Sequence, residues 1–193
     1  MTGRSVPLND TPSFMNTLVV HPYDETTLEL ERVYAGKQAD VLHSETLARS
    51  DVETALLTGR YDRIILLGHG TEYGLCNMKS DSYVFDLGLL RKIVIPRKIE
   101  VVAIWCHASL FFIDNADPSS VFSTGMFISE VREARDYFLF EADEDTVRRQ
   151  FELFSEVLST AAFLPISQIR EYVDRHYVGD DEVTRFNRGE MLL

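Results

Sequence analysis

His69 stands between two glycines in Gly68-His-Gly70, and Cys106 closes the run Glu100-Val-Val-Ala-Ile-Trp-Cys106, 37 positions further on. A histidine and a cysteine held side by side can carry nucleophilic catalysis by a thiolate. A free thiol, with a pKa near ~8.5, is mostly protonated at neutral pH, so a neighbouring imidazole has to take or hold its proton. Glycine at position 70 adds a second element, since a backbone without a side chain brings its N–H close to a substrate carbonyl oxygen.

Those residues need elements to position them. The β-branched and apolar runs Thr17–His21, Ala39–His43, Arg63–Leu67 and Ile99–Trp105 predict strands, and Met126–Ser129 predicts a fifth, weaker one. Helical signals fill the intervals: Thr26 with Glu29 and Ser50 with Glu53 read as capping boxes, the second opening a helix that ends at Gly59. Val147, Phe151, Phe154 and Leu158 form one face of a helix over Asp145–Phe163, and Ile166–Asp174 and Asp181–Leu193 are read as helical too. Strands separated by helices predict an α/β fold, a three-layer αβα sandwich with a mainly parallel sheet. Residues 1–16 have no periodicity and read as a flexible arm, leaving 17–193 as a single domain.

In such a sheet the site lies outside the carboxyl ends of the strands. This selects His21-Pro-Tyr-Asp24, Gly68–Thr71, Cys106-His-Ala108 and Ser129-Glu130. Each candidate has a structural alternative. Cys106 also fits a buried inert thiol, and His69 a residue that caps the sheet and bonds a neighbouring loop. Trp105 reads as core packing or as a wall of the substrate pocket. Asp24 reads as the cap of the first crossover helix or as a substrate contact, and Glu130 as a carboxylate placed by the helix dipole or as an acid for a basic substrate side chain. Cys76 in Gly74-Leu-Cys-Asn77 reads as a loop residue. His107 has no second ligand pair at metal-site spacing, so no metal is expected, and the acidic run Glu141–Asp145 reads as a solvated helix start.

The segments Arg63-Ile-Ile-Leu-Leu-Gly-His-Gly70 and Glu100-Val-Val-Ala-Ile-Trp-Cys-His-Ala108 resemble the caspase-like cysteine peptidases: caspases, separases, gingipains, clostripain and the bacterial CHAT domains. These share strand-His-Gly, one helix, then strand-Cys. The resemblance covers about Thr17–Tyr137 and implies a caspase-like domain with His69 as general base or acid, Cys106 as nucleophile and the amides of Gly70 and Cys106 as the oxyanion hole. The interval is shorter than the roughly 50 residues of caspases. Their Gln-Ala-Cys-Arg-Gly string is absent, and Ile104 stands where separase-like and clostripain-like enzymes carry an acid, so basic-residue specificity does not follow. The strings His21-Pro-Tyr-Asp-Glu-Thr-Thr27, Gly68-His-Gly70, Ile104-Trp-Cys106 and Gly125-Met-Phe-Ile-Ser-Glu-Val131 are also similar to a family of uncharacterised bacterial and phage proteins, which implies no reaction.

Composition narrows the function classes. With 31 acids against 19 Lys and Arg over 193 residues, the net charge is −12, and both halves of the chain are acidic; nucleic acid and anionic membranes are not expected partners. Two cysteines make no disulfide scaffold, and no secretory leader or bilayer-length apolar run is evident, so a cytoplasmic location is expected. The expectation is a cysteine hydrolase, a peptidase acting on a peptide or protein substrate through His69 and Cys106, without a cofactor. Asp24, Glu130 and Trp105 are its candidate substrate contacts. The alternative is a non-catalytic α/β module that binds a nucleotide or partner protein at the same strand ends. Gly-x-Gly-x-x-Gly, Gly-x-x-x-x-Gly-Lys-Ser/Thr and Gly-x-Ser-x-Gly are all missing, which disfavours dinucleotide, P-loop and serine-hydrolase readings.

Overall fold

The computed structural model describes residues 15–138 and 141–190; residues 1–14 of the expected arm and the last three of the expected C-terminal helix lie outside them. Strands β1 (Thr17–His21), β2 (Asp40–His43) and β3 (Arg63–Leu67) are followed by three short strands, β4 (Gly70–Thr71), β5 (Gly74–Asn77) and β6 (Ser82–Asp86), and then by β7 (Glu100–Ile104) and β8 (Val121–Ser123). The central sheet is all parallel, in the order β2-β1-β3-β7-β8, while β4, β5 and β6 form a separate antiparallel sheet.

β1 and β3 are buried along their whole length, and their side chains alternate between two cores. Leu18, Val20, Ile64, Leu66, Val101 and Ala103 face one layer. That layer holds α1 (Arg49–Thr58), the antiparallel sheet, the helical segment α2 (Leu87–Leu89), a π turn (Leu90–Val94) and α3 (Ile95–Arg97), and then α4 (Ala108–Phe112). Val19, Ile65, Leu67, Val102 and Ile104 face the other. There the 3-10 helix Leu28–Val33 packs with α6 (Glu144–Ala161) and α7 (Ile166–His176). α5 (Val131–Phe138) and α8 (Glu182–Glu190) close a smaller cluster around Ile128 and Val147. The result is a three-layer αβα sandwich, as the alternation predicts. Among the described residues no helix is long and apolar enough to cross a membrane.

Four local expectations are corrected. The fifth strand is Val121–Ser123, in register with Val101–Ala103, and not Met126–Ser129. The amides of the latter segment are taken by side chains: Ile128 N–H by Asn187 at 2.8 Å and Ser129 N–H by Glu133 at 2.7 Å. Thr26 and Glu29 form no capping box, because the Thr26 hydroxyl is bonded to Asp24 and the Glu29 carboxylate to Arg32. In α1 the N-cap is Ala48, whose N–H donates to Asp51 at 2.9 Å; Glu53 instead pairs with Arg49. Cys76 lies on β5, not in a loop.

Arg63, at the start of β3, is 1% exposed, and its guanidinium reaches Glu100 at 2.5 Å and the Ala162 carbonyl at 2.8 Å. Removing one partner of a buried pair strands the other charge, at a cost of ~3–5 kcal/mol, less where solvent reaches the pair. Glu100 is partly exposed, so urea unfolding of Glu100→Ala is expected to show a loss of about 2–3 kcal/mol. The joint change Arg63→Met with Glu100→Leu should recover most of it.

Candidate active site

Parallel pairing sets Leu67 opposite Ile104, and Gly68 N–H donates to the Ile104 carbonyl at 3.1 Å. His69 and Cys106 thus lie two residues beyond paired positions on adjacent strands. Gly68 follows β3 at φ +136°, a backbone conformation that side chains oppose, and it turns the chain from the sheet into β4. Cys106 lies two residues past β7, at a second turn: the next residue, His107, is left-handed at φ +67°, and α4 begins at Ala108. For a residue other than glycine that geometry costs ~1–2 kcal/mol, a strain of the kind found where a fold fixes a functional turn. The His107 side chain is exposed.

His69 and Cys106 line one small cavity of about 30 Å³, together with Trp105, Phe127, Phe151 and Leu30. At ~10–15 Å³ per water, it holds about two or three waters. Beyond it, sharing Ser129 and Phe151, opens a groove of about 560 Å³ lined by Thr26, Glu130, Val131 and Val147 among others.

The histidine has a definite tautomer. Asp24, in the turn after β1, accepts the Thr26 N–H at 2.9 Å and the Thr26 hydroxyl at 2.8 Å on the same oxygen, Oδ1. The hydroxyl proton is thereby used. The 2.7 Å contact between Thr26 Oγ1 and His69 Nε2 is then an Nε2–H donating to the hydroxyl oxygen, and Asp24 Oδ2 lies 3.3 Å from the same nitrogen. Nδ1 of His69 carries no proton in this arrangement and makes no hydrogen bond among the described residues. Burial works against the Asp24 charge, but the Thr26 hydroxyl, His69 and the amides of Thr26 and Thr27 hold its carboxyl below the usual range.

Cys106 is half-buried, and its thiol donates a weak bond to the Phe127 carbonyl at 3.8 Å. Burial pushes its pKa up to about 11, the Phe127 backbone opposes this, and the nearby Glu133 and Glu130 carboxylates add to it. The resting group is therefore a neutral thiol. Glu133 is held there by Ser129 N–H at 2.7 Å, Ser129 Oγ at 3.2 Å and Glu130 N–H at 3.0 Å, and burial raises its own pKa.

Both amides named from the sequence stay uncommitted among the described residues. Cys76 N–H donates to the His69 carbonyl at 2.8 Å, so Gly70, opposite Leu75, falls at a non-hydrogen-bonded ladder position with its N–H outside the ladder. Gly70 must also be glycine, since a Cβ there would meet Trp105 Cδ1 at 2.1 Å. The Cys106 N–H is taken by no other described residue.

The candidate substrate contacts separate. Asp24 is turned to His69, and Glu130 faces the groove without a partner among the described residues. Trp105 is 2% exposed and packed on Phe111 and Phe112, its indole N–H donating to the Thr71 carbonyl at 3.0 Å, and it also lines the small cavity. Sequence reasoning missed Thr26 and Glu133. Asp24-Glu-Thr26 is the spacing of a turn closed by an aspartate side chain, a signal for the first; nothing local marks the second.

Fold and site define an α/β protein with a histidine and a cysteine on adjacent strand ends at one crevice. No protein-family model matches the chain, and no curated protein matches it.

Proposed function

We propose that this chain is a cysteine hydrolase of the caspase-like kind that cleaves peptide bonds. The observation that carries the reading is the shared cavity of His69 and Cys106, with His69 Nε2–H committed to Thr26 and Asp24 and Nδ1 left bare. Because the resting thiol is neutral, His69 acts as a general base at the moment of attack: Nδ1 takes the thiol proton as sulfur bonds to the carbonyl carbon. The oxyanion is received by the Gly70 and Cys106 amides, and the imidazolium returns its proton to the leaving amine. Water then hydrolyses the thioester, with His69 again as base.

The pH dependence of iodoacetamide alkylation tests this, read at Cys106 by mass spectrometry with Cys76 as the internal control. Near pH 7 wild type is expected to react faster than His69→Ala; the two curves converge as pH approaches the thiol pKa of about 11. Glu133→Gln removes a negative charge from the thiolate's surroundings, so its curve moves to lower pH. Superimposable curves for wild type and His69→Ala at neutral pH would overturn the mechanism. They would favour a second reading, supported by the burial of the sulfur: a non-catalytic α/β module whose strand-end groove holds a partner protein or nucleotide.

A further inference from the structure

Behind Asp24 lies a second histidine that the reaction does not touch. His21, the last residue of β1, is fully buried. Its Nδ1 is 3.1 Å from the Tyr34 hydroxyl, and its Nε2 is 3.4 Å from Thr27 Oγ1. Thr27 Oγ1 accepts the Asp24 N–H at 3.1 Å and lies 3.4 Å from Asp24 Oδ1. We propose that Tyr34, His21 and Thr27 form a buried chain of donors, all pointing one way, that aims the Asp24 carboxylate at His69, so that His21 is a positioning residue of the site. This deepens the hydrolase reading and rests on it for its functional meaning.

The direction follows from proton bookkeeping. Thr27 has one hydroxyl proton and three candidate acceptors, the Asp24 carboxylate, the Asp24 carbonyl and His21 Nε2, each at 3.4 Å. A bond to a charged acceptor is roughly twice as strong as a neutral one, so the proton goes to Asp24. His21 Nε2 must then carry a hydrogen and donate to Thr27, and Nδ1, left bare, accepts from the Tyr34 hydroxyl. The chain needs a neutral His21. Burial, reinforced by His43 at a ring separation of 5.2 Å, holds its pKa down at about 3 against the pull of Asp24. The other titratable groups facing His21 are Tyr23, Tyr34 and His69, and His43 is itself tied to Glu31 at 3.1 Å. Removing the Tyr34 hydroxyl takes away the donor that favours a bare Nδ1, so the Nδ1–H share of His21 rises; in that form a bare Nε2 competes with Asp24 for the Thr27 proton, and Asp24 is held less firmly.

Imidazole nitrogen NMR on the labelled full chain reads the tautomers directly. In wild type His21 is expected as the neutral Nε2–H form and His69 as Nε2–H. In Tyr34→Phe the Nδ1–H share of His21 rises, and the Nε2–H to Nδ1–H ratio of His69 falls by up to about fivefold, the equivalent of one net hydrogen bond. His21→Phe gives the same change at His69, and His21→Gln, whose amide still donates to Thr27, restores it. Wild-type His21 in the Nδ1–H form would overturn the proposal, and so would a His69 ratio unmoved by Tyr34→Phe. Tyr34 is half-buried and loses only an oxygen, so that variant decides the matter even if His21→Phe fails to fold. The two readings fail separately: an inert Cys106 leaves the NMR result standing, and an unmoved His69 leaves the alkylation result standing.

Discussion

Cys106→Ala is expected to lower hydrolysis of a mixed peptide library, followed by mass spectrometry, by at least ~10³-fold, the scale on which loss of a covalent nucleophile acts. The other cysteine cannot substitute. Cys76 sits on β5 with its sulfur 3.9 Å from the Gly74 carbonyl, and it does not line the cavity. The fold should survive the change. The Cys106 thiol makes one weak bond, and trimming a sulfur from a half-buried position costs about 1 kcal/mol, a shift of roughly 2–4 °C in Tm for a domain of this size. Persistent cleavage by Cys106→Ala of a peptide that wild type cuts would sink the mechanism. A variant that no longer unfolds cooperatively would turn the test to Cys106→Ser, which keeps the shape with a far weaker nucleophile.

Why the cysteine could be singled out at all is a matter of periodicity. Arg63–Leu67 and Glu100–Ile104 are apolar runs too short for helices and lack the alternation of a half-exposed strand, so they had to be central and parallel. Once two such strands are adjacent, the residues just past their ends are neighbours whatever the intervening chain does. His69 and Cys106 were legible for that reason, even though the interval holds a three-stranded antiparallel sheet and a π turn where a single helix was expected. β5 and β6 left no clear trace because Gly74-Leu-Cys-Asn77 and Ser82-Tyr-Val-Phe-Asp86 are strands of four and five residues that pair only with each other and with two residues of β4. The misplaced fifth strand has the opposite cause. Met126–Ser129 is as apolar as Val121–Ser123, but its backbone is claimed by Asn187 and Glu190, which arrive from a helix far along the chain, and by Glu133 in the helix that follows. No local pattern announces a partner 59 residues away.

Side chains around the site follow the same division. Asp24 was visible as a cap because its bonds to Thr26 and Thr27 close within three residues, whereas the contact of Thr26 with His69 spans 43. A capping box and an orienting hydroxyl draw on the same residue type, and here Thr26 donates to Asp24 and accepts from His69 instead of capping the 3-10 helix.

That competition makes Asp24→Asn the most informative change beside the nucleophile itself. Asp24 Oδ1 is pinned by the Thr26 N–H and hydroxyl, so an asparagine there keeps its carbonyl oxygen on Thr26 and must turn its NH2 toward His69. A donor facing Nε2 opposes the Nε2–H that Thr26 accepts, which raises the share of rings protonated at Nδ1 and lowers the share with a bare nitrogen to act as base. Fixing a catalytic histidine in the wrong tautomer costs ~10²–10⁴ in kcat. KM should change little, because Asp24 is spent on His69 and not on the groove. Alanine at the same position gives the sharper comparison. It deletes the aspartate turn that asparagine retains, yet it imposes no tautomer, and Thr26 still accepts the Nε2–H. Asp24→Ala is therefore expected to be the less stable but the more active of the two variants. If Asp24 served only to shape the turn after β1, that order would reverse, with asparagine near wild type and alanine impaired.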